Sequence, residues 1–189
     1  MSLPRHAALA AAVALAAPVA ASATERQAGA TITTSVTRTA VDAHLNSTAI
    51  ALQNAASDDP TDGRIIVAAH TAYDTAVKYW KNDDYVPAED YAKATDALLA
   101  VANADGRGAS DVDFDETGRL VAELSPASAM WLTSFATDLF DRAVSARSAD
   151  PVSAARDLQR AAGVARASQF ATLATSGSPQ DQAPTAITF

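Results

Sequence analysis

Apolar positions recur along most of this chain at the four-three spacing of amphipathic helices. Over about 35–57, Val36, Ala40, Ala43, Ser47 and Ile50 share one face. Leu45, Ala49, Leu52 and Ala56 form a second stripe, so this helix is expected to be buried on two sides. The run Asp58-Asp59-Pro60-Thr61-Asp62-Gly63 reads as the turn that stops it. A second helix follows over about 64–81, with Ile66, Ala69, Tyr73, Ala76 and Trp80 inward. A third, over about 86–103, carries Pro87 in its first turn and turns Ala88, Tyr91, Thr95, Leu98 and Ala102 inward.

Residues 104–113 read as the main loop. A fourth helix begins with a short piece over about 114–124. Ser125-Pro126 restarts it, and the longer piece reaches about 148. It buries Leu132, Phe135, Ala136, Leu139, Ala143 and Trp131. Asp150-Pro151 repeats the cap-then-proline signal. The fifth helix runs from there to about 174, with Ala155, Leu158, Ala162 and Ala165 inward. The expectation is an all-α bundle of about five largely antiparallel helices, spanning 36–174, around an alanine-rich core.

The two ends read differently. Residues 1–23 combine basic Arg5-His6, an apolar stretch from Ala7 to Ala17, and the small-residue site Ala21-Ser22-Ala23 after Pro18. That order is a cleaved signal peptide, too short to span a bilayer. It predicts an exported, extracytoplasmic product that begins at Thr24. Residues 24–35 read as a flexible leader and 175–189 as a disordered tail. No other segment is apolar enough to cross a membrane.

Charge narrows the partners. The chain has a net charge of −8, with 18 Asp and 4 Glu against 11 Arg and 3 Lys. Such a surface repels nucleic-acid phosphates and anionic membranes. The surplus of Asp fits either adaptation to high salt or codon bias. There is no cysteine, which excludes disulfides, thiol nucleophiles and thiolate metal sites.

Candidate chemistry is sparse. His44 and His70 remain after signal removal. In an antiparallel hairpin centred near residue 60 they would stand six residues out of level, about 9 Å along the axis, so they read as unrelated rather than as one metal site. Asp111, Asp113 and Asp115 alternate like the start of a calcium loop, making calcium the one cofactor suggested. Glu116 stands where such a loop needs glycine. The sequon Asn46-Ser47-Thr48 falls inside a helix. No hydrolase, metalloprotease or phosphate-loop motif is present.

The stretch from Tyr79 to Leu98 places an aromatic pair, an acidic turn with Tyr85, and small and aromatic residues on a following helix. It is similar to one tetratricopeptide hairpin and spans about one repeat, with no second copy 34 residues on. The resemblance implies a helix–turn–helix at that place and no function. Tyr79, Tyr85 and Tyr91 bracket the turn and are candidate partner-binding residues. Together these features favour a binding or structural protein whose partner is a protein, an envelope component or a small ligand. The rivals are a hydrolase or lyase with a carboxylate site and a calcium-responsive module.

Overall fold

A computed structural model of the chain describes residues 36–107, 109–124 and 130–176. Six helices and no strand occur among the described residues. They are α1 (Arg38–Gln53), α2 (Pro60–Lys81), α3 (Tyr85–Leu99), α4 (Asp111–Ala122), α5 (Met130–Ala146) and α6 (Pro151–Ser176). The expected all-helical bundle is correct, with six helices in place of five. The signal peptide 1–23, the leader 24–35 and residues 177–189 of the expected tail lie outside the described residues, as does the Ser125-Pro126 restart, whereas Thr175 and Ser176, read as the start of that tail, end α6.

The helices begin where side chains satisfy their free N–H groups. Thr37 accepts from the Ala40 N–H. Asp59 accepts from Thr61 and Asp62, with Pro60 in the first turn. Ser110 and Asp113 form a reciprocal capping box on α4. Asp150 accepts from the Ser153 N–H at 3.1 Å, the cap expected there. Asp59-Pro60 is the same signal, so α2 starts four residues before the expected position. The aspartates read as a stop for α1 are the start of α2.

Helices α1, α2 and α3 pack on one another, and so do α4, α5 and α6; contact between α3 and α6 joins the two triplets. The piece expected as the start of a long fourth helix is α4, which packs on both α5 and α6. A continuous apolar pattern does not reveal that α4 and α5 are separate helices.

Alanine dominates the buried surface, with Ile65, Leu98, Leu132, Leu139, Val41 and Val164 as its largest fully buried apolar side chains. The inward faces expected for α3 and α5 are buried as read, apart from half-buried Trp131. On α1 the buried residues are Val41, Leu45, Thr48 and Leu52. The other stripe expected there faces water, with Ile50 61% exposed. Close helix approach depends on one glycine. A Cβ on Gly163 of α6 would fall 2.4 Å from Val101 Cγ2. That gap lets the end of α3 lie against α6. No helix among the described residues is long and apolar enough to cross a membrane.

Candidate functional site

An open cleft of about 450 Å³ lies between α4, α6 and the segment that follows α3. Its apolar part is Val101, Leu120, Leu158 and Ala162. The first three are branched aliphatic side chains, and the cleft is floored where Gly163 admits Val101. Gln159 shapes the mouth. Its Oε1 accepts from the Gly106 N–H at 3.3 Å and its Nε2 donates to the Arg107 carbonyl at 3.0 Å. Gly106 has a φ of 70°, and a Cβ there would meet the Val152 carbonyl at 2.5 Å. The loop therefore lies flat on α6 only because this residue is glycine.

Charges line the rim. Arg119, Glu116 and Glu123 stand on α4, and Arg166 with Gln169 on α6. Arg119 lies three residues from Glu116 and four from Glu123, within reach of their field. Arg166 has no carboxylate within a turn on its own helix. Among the described residues neither arginine forms an ion pair or hydrogen bond. The arrangement offers a guanidinium over an apolar floor, which suits a small molecule with an acidic head.

A second cluster ties α1 to α3. His44 Nδ1 lies 3.0 Å from Glu89 Oε2, and Nε2 lies 2.7 Å from Asp96 Oδ2. The Thr48 hydroxyl donates to Asp96 Oδ1 at 3.0 Å. Beside it, burial pushes the Asp90 carboxyl up, while Lys93 at 3.6 Å pulls it back. His70 lies exposed on α2.

A third cluster is buried. Arg160, 3% exposed, donates from Nε to Asp62 at 2.7 Å and from Nη1 to Asp157 at 3.2 Å. Its Nη2 sits 2.7 Å from Asp62 and 3.1 Å from Asp59 as an ionic contact without an aligned hydrogen bond. Arg142 holds Asp157 through two bonds, of 3.1 and 2.9 Å. Burial would raise the Asp59 carboxyl, but the Thr61 N–H and the Arg160 guanidinium outweigh it and hold it below its ordinary value. Two arginines meet three aspartates here, and their contacts tie the start of α2 to α6.

The residues singled out from sequence are placed differently. Tyr91 is 5% exposed and stacks on half-buried Tyr79 with ring centroids 5.7 Å apart. Burial pushes the Tyr91 hydroxyl up to about 12. Tyr91 is thus a core residue, because its helix turns the stripe containing Ala88 and Leu98 inward. Tyr85 is half-buried and donates to Asp83. Asp111, Asp113 and Asp115 lie on α4, not in a loop. Asp113 and Asp115, two apart on a helix, diverge by about 200° around its axis. Asp113 Oδ2 also accepts from the Ser110 N–H at 2.6 Å and from its hydroxyl at 2.7 Å. The expected calcium loop is a helix start. Within the Asn46 sequon, Thr48 is buried and Ser47 exposed.

The cleft, the contact of Glu89 with His44 and the part played by Arg160 went unseen in sequence. One signal for the His44 contacts existed: Glu89 and Asp96 are seven apart, on one face of a helix whose neighbouring stripe is strongly apolar. No family model, no curated protein and no solved structure matches the chain.

Proposed function

We propose that this chain is an exported binding protein whose ligand is a small amphiphile with an acidic head, held in the cleft between α4 and α6. The carrying observation is the pairing of Arg166, which forms no ion pair or hydrogen bond among the described residues, with a floor of Val101, Leu120 and Leu158. A cleft of about 450 Å³ is within the size range of small-molecule sites. The apolar body of the ligand lies on the floor and its carboxylate meets the guanidinium. Binding is favoured over catalysis because both ring nitrogens of His44 are engaged by carboxylates, which leaves it no free nitrogen for general-base work.

Octanoate and 1-octanol serve as probes in amide NMR titrations of the full chain. Octanoate is expected to shift amides lining the cleft saturably, and octanol far less. Arg166→Gln should weaken octanoate about tenfold, the loss of one charge-assisted hydrogen bond. Shifts scattered over the surface, or equal responses to both probes, overturn this reading. Export rests on residues 1–23. The mass of protein from the culture medium should begin at Thr24, and a mass that retains residues 1–23 overturns it.

A further inference from the structure

His44 reaches from α1 to α3 with both ring nitrogens. Nδ1 is 3.0 Å from Glu89 and Nε2 is 2.7 Å from Asp96. An ionised carboxylate only accepts hydrogen bonds, whereas a neutral imidazole has one donor nitrogen and one acceptor. In either neutral tautomer, a lone pair would therefore face a carboxylate. With both carboxylates ionised, only the imidazolium satisfies both contacts.

The surrounding charges do not supply another proton. On α3, Lys93 lies 3.7 Å from Glu89 and 3.6 Å from Asp90, so it already serves two acids. On α1, Thr48 donates to the other oxygen of Asp96, and Arg38 turns away to Asp83 and the Trp80 ring. From α2, which also packs on α1, no ionisable side chain forms an ion pair or hydrogen bond with the ring. Apart from these contacts, α1 is held by the burial of Val41, Leu45, Thr48 and Leu52. That is a thin apolar seam for 16 residues, so the proton on His44 matters to whether α1 stays docked.

We infer that His44 is a proton-operated latch that holds α1 on α3 while the ring is charged and loosens α1 when the proton is lost. Burial alone would lower the proton affinity of the ring. The hydrogen bonds to Asp96 and Glu89 outweigh it and hold the value above 6.5. A group whose proton affinity is raised by folding adds stability that is complete below the unfolded value. That stability is lost as pH rises through the folded value. The latch is therefore closed in acid and released as pH rises through the folded value, above 6.5.

Hydrogen exchange of the full chain from pH 6 to 9, corrected for intrinsic exchange rates, tests this. Protection of α1 amides should fall by up to about tenfold per pH unit above 6.5 and then level off. Protection of α6 should not follow. His44→Gln should abolish the dependence. Separately, nitrogen-15 spectra of the ring at pH 6.5 should show both nitrogens protonated. Flat α1 protection, a parallel fall in α6, an unchanged dependence in the variant, or a neutral ring at pH 6.5 each overturns the latch. Should the variant fail to fold, the wild-type exchange profile and the ring spectrum still decide it.

Discussion

At the scale of single residues, Arg160 carries the largest electrostatic stake. It is buried with Asp62, which is 4% exposed, and the two lie 98 residues apart in sequence. Replacing only the arginine strands a carboxylate away from water. Arg160→Met is expected to cost about 3–5 kcal/mol in urea unfolding, as for other broken buried pairs. Adding Asp62→Asn should return part of that loss, because the stranded charge is then gone. The same carboxylates govern acid behaviour. Asp59 is held below its ordinary 3.8, so the stability it adds is present above that value and is lost as pH falls through its folded value. Asp113 and Asp150, held down by hydrogen bonds from Ser110 and Ser153, act in the same direction. Urea midpoints measured from pH 6 down to pH 2 should therefore fall mainly below about pH 4. These residues were hard to read from sequence for a physical reason. An aspartate's role depends on which distant cation it meets, and spacing along the chain carries no record of a partner 98 positions away. Only local uses of aspartate, such as the cap at Asp150, are written in neighbouring residues.

At the scale of elements, the legible helices were those with contrast. On α3 and α5, Tyr91, Leu98, Leu132, Phe135 and Leu139 mark the inward face beyond doubt of phase. On α1 the competing stripe ran through Val36, Ala40, Ala43, Ser47 and Ile50, and its three middle residues are small enough to sit on either side. Phase was then decided by packing on α2 and α3, which the sequence of α1 does not contain. The central helix α6 shows the reverse case, a small residue with a fixed role. Gly163→Ala would press a methyl into Val101 and should destabilise by about 1–3 kcal/mol, despite the better helix propensity of alanine. Thermal melts of Gly163→Ala with and without Val101→Ala check this. The valine truncation should relieve the overpacking, so the double variant should be more stable than the sum of the two single losses. If both changes simply add, the close approach of α3 to α6 has no energetic weight.

At the scale of the whole molecule, two helix triplets share one core made largely of alanine. Alanine lets helices come close but removes little apolar area per residue, at about 25 cal/mol per Å². Opposing terms of modest size therefore matter more here than in a leucine-rich bundle. The largest is self-repulsion of the surface, since the chain has 22 acids against 14 bases. Exposed aspartates crowd one another at Asp58, Asp83 and the rim of α4. Salt acts on these and spares the buried network, because screening shortens the reach of exposed charges to about 3 Å at 1 M while partly buried pairs are screened much less. Salt also weakens exposed ion pairs such as Arg107–Asp105 and Arg38–Asp83, which run the other way. Each of those is worth at most about 1 kcal/mol, and many such pairs contribute nothing measurable. The surplus of eight negative charges has no such cancellation, so repulsion decides the sign. The melting midpoint is expected to be higher in 1 M than in 0.05 M sodium chloride, by about 3–5 °C for each kcal/mol of repulsion relieved in a domain of this size. Potassium chloride should give the same rise, because screening depends on ionic strength and not on the cation. A midpoint that stays level or falls in both salts would mean that the aspartates are spaced widely enough not to oppose folding, and that their abundance is a matter of composition.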